Sequence, residues 1–286
     1  MNTVSISRFT PSTMSAELLE RLFVVRHPIL EALMKHVKGL GQTPSPHHTL
    51  LVGPRGAGKT HLISLVYHRS KSLAETGNGK PLRIAWLPED PWTLVSYGRL
   101  LAAILERVVP NFDDLKSAES ELDAYIRHTS REDGPILVLA ENLDQILDAL
   151  GDSGQQKLRN LLQTEPGILV IASTTRLDNS LSSHAAPFFG FFDTIHLAPF
   201  SPEEARDMLA TLAREANNKE LAKRLLDNES VARIHTIAHL AGGQPRLWAL
   251  LGSALTVEDL HDLTTLLLNR FDDLTPYYQE QLARLS

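Results

Sequence analysis

Eight consecutive residues, Gly53-Pro54-Arg55-Gly56-Ala57-Gly58-Lys59-Thr60, combine the residue types that hold phosphate. They match the pattern G-x-x-x-x-G-K-[ST] at every fixed position. Glycines let successive backbone N–H groups close around phosphate oxygens, and a helix that starts there adds positive potential. In such a loop the Lys59 ammonium would reach the β- and γ-phosphates of a nucleotide, and the Thr60 hydroxyl would hold Mg²⁺. The flanks suit this chemistry. Thr49 to Val52 is a short apolar run with strand character, and His61 to Tyr67 reads as the start of a buried helix. A glycine-rich turn that fits by chance needs neither flank. Pro54, Arg55, Gly56, Ala57, Gly58 and His61 join Lys59 and Thr60 as expected nucleotide contacts.

A phosphate loop also needs a carboxylate on a neighbouring strand to organise Mg²⁺, and a polar group to direct water. The candidates end the apolar run Ile136 to Ala140: Glu141, Asn142, Leu143 and Asp144. The competing use of Glu141 and Asp144 is to cap the helix Leu143 to Leu150. A second apolar run, Gly167 to Ala172, ends in Ser173, Thr174, Thr175 and Arg176, where Ser and Thr ordinarily make turns. Ala241-Gly242-Gly243-Gln244-Pro245-Arg246 reads locally as a helix stop and restart. A guanidinium at Arg246 would also pair with phosphate oxygens through two parallel hydrogen bonds.

The elements that must position these groups alternate. Strands are expected at 49–52, 82–87, 136–140, 167–172 and 194–197. Helices are expected at 29–37, 96–109, 115–128 and 155–163, with polar or proline-rich breaks at 75–81 and 88–91. Wholly apolar strands alternating with helices predict an α/β fold with a parallel sheet covered on both faces. Residues 1–16 are polar, and 17–40 carry helical spacing interrupted near Val24 to Pro28. The pattern changes at Pro199. Ser201 is a good N-cap, with Pro202 at the first helical position and Glu204 at the third. Helices follow at 202–215, 217–227, 230–240, 245–253 and 256–270. The expected domains are an N-terminal extension with helices (1–48), an α/β phosphate-loop core (49–200), a small all-helical domain (201–272) and a terminal helix (273–286); resemblance to known ATPases, rather than the pattern, makes the first of these adenine-side, the third a lid and the last the opening of a further winged-helix-like module.

Composition narrows the function. The 286 residues are 43% hydrophobic and 22% charged, with no cysteine and a net charge of −6. Disulfides, thiolate metal sites and cysteine nucleophiles are excluded. A mildly acidic chain is not a general nucleic-acid coat, although a local basic patch is compatible with it. No apolar run approaches the ~18 residues of a membrane span, and the N-terminus has no signal pattern. A soluble cytoplasmic protein without a membrane partner is expected.

Taken together the motifs resemble those of the AAA+ superfamily, above all its initiator branch of origin-recognition-like ATPases and the related STAND signalling ATPases. Those families end the carboxylate strand in Asp-Glu-x-Asp, where this chain has Glu141-Asn142-Leu143-Asp144. The resemblance puts Glu141 in the Mg²⁺-organising role and Asn142 in the place of the residue that activates water. An amide orients water and cannot take its proton, which leaves Asp144 as a substitute. It makes Thr174 a γ-phosphate sensor and Arg246 the arginine of a Gly-x-Pro-Arg lid motif. Leu22 to His27 resembles the Phe-Val-Gly-Arg-Glu segment beside adenine, with Val25 for Gly and His27 for the acid, which nominates Val24 and Arg26. An arginine finger after the sensor strand is missing: 177–202 holds no Arg or Lys, and Arg176 is the nearest substitute. Pro187 to Phe192 is expected to be core packing; its alternative is an apolar partner patch.

The resemblance implies ATP and Mg²⁺ as cofactors and slow ATP hydrolysis. It implies a nucleotide-dependent switch in a DNA-associated process of the initiator or loader type. The alternatives are a STAND-like signalling or defence switch, and an ATP-binding scaffold with little hydrolysis. Expected partners are ATP and ADP, DNA, and a protein partner or a further copy of the chain.

Overall fold

The computed structural model describes residues 11–43, 45–73, 79–87, 94–112, 118–177 and 179–261. The expected break at 88–91, most of the turn at 75–81, the start of the helix from 115 and the whole segment 273–286 lie outside the described residues. The chain divides into two compact units. Among the described residues, one comprises those within 26–55 and 59–197; the other comprises 11–25, 56–58 and those from Ala198 to His261.

The first of these units is a five-stranded sheet in the order β2-β3-β4-β1-β5, every pair parallel. The strands are β1 (Thr49–Val52), β2 (Arg83–Trp86), β3 (Ile136–Ala140), β4 (Ile168–Thr174) and β5 (Asp193–His196). All five residues of β3 and all seven of β4 are buried. Such runs follow from a sheet sandwiched between helices, where neither face meets water. The register sets Val52 opposite Thr174 and Ala140 opposite Ala172. The carboxyl ends of β1, β4 and β3 therefore lie side by side, with β4 in the middle. Ligands of open α/β sheets bind at this end of the strands.

The covering helices are α2 (His27–Lys38), α3 (Lys59–Lys71), α4 (Tyr97–Val108), α5 (Glu119–His128), α6 (Leu143–Thr164) and the short α7 (Asn179–Ser182); α1 (Ala16–Leu22) belongs to the other unit. The separately expected helices 143–150 and 155–163 are continuous in α6, with a kink at Gly151, whose φ of 60° and ψ of 175° break the helical path. The aromatic stretch is core packing in the main. Phe188 is buried, Phe191 and Phe192 pack against the same core, and Phe189 alone of the four is substantially exposed, at 38%.

At the opposite end of the sheet, His48 is 5% exposed just before β1. Its Nδ1 accepts the Val170 N–H at 3.1 Å, its ring stacks on Phe191 at 5.0 Å, and the Leu162 backbone also hydrogen-bonds to it. Burial pushes its pKa down to about 4. A neutral ring is what this arrangement requires, because a protonated Nδ1 has no lone pair for Val170.

In the other unit α1 packs on α8 (Pro202–Glu215), tied by the Arg21–Glu215 ion pair at 2.9 Å. α9 (Lys219–Arg224), α10 (Asn228–Ala241), α11 (Pro245–Ala254) and a 3₁₀ turn at Glu258–His261 follow. Ser201 and Glu204 form the expected capping box: the Glu204 amide donates to Ser201 Oγ at 3.2 Å, and the Ser201 amide to Glu204 Oε2 at 2.8 Å. The core gathers Leu209, Leu225, Ile234, Ile237, Leu247 and Trp248. Two expectations need correction. The helix read at 217–227 is shorter, because the Asn218 side chain caps it and Leu225 to Asp227 turn away. The helix read at 256–270 opens with Thr256 and Asp259 bonding to each other around a 3₁₀ turn; its remainder lies outside the described residues.

Candidate phosphate-binding site

The loop after β1 takes a shape that only its glycines reach cheaply. Gly56 (φ 79°) and Gly58 (φ 90°) sit in the left-handed region, and α3 begins at the next residue, Lys59. Ala57 between them is buried, while Pro54 is exposed. Arg55 and Thr60 are half-buried, as is His61 in the first turn of α3.

Lys59 is 8% exposed. Its ammonium donates to the carbonyls of Gly53 at 2.6 Å and Pro54 at 3.1 Å, which hold it inside the loop. Burial pushes its pKa down to about 8, against the upward pull of Glu141 and then Asp144. Two neutral carbonyls satisfy this ammonium only partly; an anionic phosphate is the stronger partner.

The Thr60 hydroxyl donates to Glu141 Oε2 in a very short hydrogen bond. That bond joins the first turn of α3 to the end of β3, past the intervening β4. Glu141 is 5% exposed. The residue at the N-cap of α6 is Asn142 (φ 51°, ψ 50°), and it makes no side-chain cap. Asp144 stands in the first turn of α6, and its Oδ1 is buried with no hydrogen-bond partner among the described residues. Thr174 is fully buried at the end of β4; its hydroxyl donates to the Arg176 carbonyl at 2.8 Å, and its own carbonyl accepts the Gly53 N–H at 3.3 Å. The bond to Arg176 is the one a turn-forming threonine makes.

Among the described residues no group of three His, Cys, Asp or Glu could by itself enclose a metal ion. Thr60 and Glu141 nevertheless form an all-oxygen donor pair. Mg²⁺ suits such a pair, since it takes one or two carboxylates and completes its shell with water and phosphate oxygens. The residues present fit the ion.

The remaining candidates are divided between the units. Arg26 (φ 70°) immediately precedes α2 and belongs with the sheet, whereas Val24 belongs with the helical unit. Arg246 is the second residue of α11, and its amide donates to the Gly56 carbonyl at 3.2 Å, residues 56–58 grouping with this unit. The turn before α11 depends on both its glycines. Gly242 has φ 64° and ψ 180°, a region open essentially to glycine alone. A β-carbon on Gly243 would lie 2.3 Å from the Phe200 carbonyl oxygen, whose own amide donates to the Gly243 carbonyl at 2.6 Å. A second consecutive glycine, beyond what a helix stop needs, is the signal that a backbone approaches closely.

No family model matches the sequence. The chain is similar to the Holliday junction branch migration complex subunit RuvB of Clavibacter michiganensis, with 29% identity over 248 residues; the match covers 81% of this chain and 60% of that protein. The chain thus spans about three-fifths of that relative's length. Among solved structures it is similar to Drosophila ORC bound to DNA, with a TM-score of 0.57 and 17% identity over 93% of this chain and 70% of the other. It is likewise similar to the Aeropyrum pernix ORC1 protein in complex with DNA, with a TM-score of 0.56 and 17% identity over 86% and 68%. The fold is that of the AAA+ P-loop ATPases, in the form shared by ORC and Cdc6 proteins.

Proposed function

We propose that this chain, built on the AAA+ P-loop ATPase fold, binds ATP with Mg²⁺ and works as a nucleotide-dependent switch in a DNA-associated process of the initiator or loader kind. The observation that carries the reading is the convergence of Lys59, Thr60 and Glu141 at the end of β1. When nucleotide enters, Lys59 exchanges the Gly53 and Pro54 carbonyls for β- and γ-phosphate oxygens. Thr60 and Glu141 are the residues that would hold Mg²⁺, which when bound neutralises charge on the terminal phosphates. Backbone N–H groups of 56–60 and the N-terminus of α3 supply the rest of the positive potential. Val24 and Arg26 are assigned to the adenine side.

The switch needs contacts that exist with ATP and vanish with ADP. Arg246 is assigned that role from the helical unit, and Thr174 senses the γ-phosphate once its hydroxyl turns from Arg176. The DNA-associated part rests on the relatives, a Holliday junction branch migration subunit and ORC proteins seen with DNA. With a net charge of −6, any DNA contact is local. We place the protein in the cytoplasm; among the described residues no helix is long and apolar enough to cross a membrane.

A second reading is an ATP-held switch or scaffold with little turnover, waiting for a protein partner or a further copy. Asn142 in place of a carboxylate and the absence of Arg and Lys from 177–202 favour it. Turnover with and without duplex DNA, beside Lys59→Ala as blank, decides between them. Stimulation by DNA supports the first; ATP bound but no turnover above blank supports the second.

A further inference from the structure

The end of β3 and the first turn of α6 offer three polar side chains. Glu141 is bonded to Thr60 and nearly buried. Asn142 sits in a left-handed backbone conformation at the helix start and carries an amide, which has no capacity to accept a proton. Asp144 follows in the first turn of α6. Its Oδ1 is buried and has no hydrogen-bond partner among the described residues. A buried carboxylate oxygen without a donor is costly, and native proteins seldom leave one without a purpose. Lys59, the group assigned to the terminal phosphates, lies within electrostatic reach of Asp144. The first turn of α6 follows directly on Glu141, whose bond to Thr60 ties this end of β3 to the phosphate loop, so chain connectivity keeps Asp144 beside the candidate site.

We propose that Asp144, and not Asn142, accepts the proton of the attacking water when this chain hydrolyses ATP. This rests on the ATP reading above. In the step, the water oxygen forms a bond to the γ-phosphorus, and the bond from that phosphorus to the β,γ-bridging oxygen breaks, its electron pair leaving with ADP. The water proton passes to the Asp144 carboxylate and from there to the phosphate product or solvent. Asn142 contributes only a hydrogen bond that orients the water.

The test compares the unsubstituted chain with Asp144→Asn, Asn142→Glu and the double substitution. ATP affinity is measured by calorimetry in Mg²⁺, and kcat and KM by phosphate release. Asp144→Asn is expected to keep ATP affinity and KM within about 3-fold while kcat falls by roughly 100-fold or more, the usual contribution of a positioned base. Asn142→Glu in the Asp144→Asn background is expected to recover most of the loss, which a variant with a damaged fold cannot do. Unchanged kcat in Asp144→Asn overturns the proposal. So does a parallel loss of affinity and kcat, the mark of a mere counter-ion to Lys59, or a double variant without recovery. Unsubstituted turnover no higher than in Lys59→Ala overturns it as well. Failure of the unsubstituted chain to bind ATP overturns the ATP reading itself, so the two failures are distinguishable.

Discussion

At the scale of single residues, the site was legible to the extent that its chemistry demands fixed spacing. A loop that wraps phosphate needs glycine, lysine and hydroxyl at set intervals, and Gly53 to Thr60 shows them in sequence. Glu141 was legible as a carboxylate after an apolar strand, but its bond to Thr60 was not, because 81 residues separate the two. That bond carries a prediction. Glu141→Ala should weaken ATP binding in Mg²⁺ by about 10-fold, the worth of one charge-assisted contact of about 1.5 kcal/mol, and change binding in EDTA far less. Calorimetry with and without Mg²⁺ reads this; equal losses in both would separate Glu141 from the ion. Thr174 marks the limit of such reading, since the same threonine serves a turn and a sensor, and the structure shows the turn bond.

At the scale of elements, Ile136 to Ala140 and Pro202 to Glu215 were readable end to end. An unbroken apolar run fits only a strand buried on both faces. A Ser-Pro-x-Glu start fixes a helix N-terminus by its own hydrogen bonds. The sheet order was not readable, because strand pairing is nonlocal and the apolar strands resemble one another. His48 was equally hidden, its role depending on Val170 and Leu162. Its folded-state pKa of about 4 lies below the ordinary 6.5, so the unfolded chain binds the proton more readily. Stability should therefore fall as pH drops below about 6.5, with the loss complete near pH 4 at about 3 kcal/mol, at 1.36 kcal/mol per unit. His48→Gln should flatten that part of the pH profile of urea unfolding; an unchanged profile would assign the acid loss elsewhere. Gly243→Ala should destabilise the chain by about 1–3 kcal/mol, because its β-carbon meets Phe200 backbone that no rotamer can clear. Thermal unfolding checks this, and an unaltered midpoint would show that the turn relaxes freely.

At the scale of the molecule, the change of pattern at Pro199 marks where a boundary is expected, but nothing in it shows the grouping of residues 11–25 and 56–58 with the helical unit. Short segments join a unit through contacts that periodicity does not encode, as α1 does through Arg21 and Glu215. A ligand that binds only the folded state stabilises it by mass action, so saturating Mg-ATP should raise the unfolding midpoint.

The central claim is that Lys59 and its loop hold the phosphates of ATP. The most direct measurement is equilibrium binding of Mg-ATP to the unsubstituted chain and to Lys59→Ala. Saturable binding that weakens by roughly 100-fold on substitution, in line with losing a charged contact worth about 3 kcal/mol, is the expected result. Equal affinity in the two proteins, or no binding to the unsubstituted chain, would contradict it.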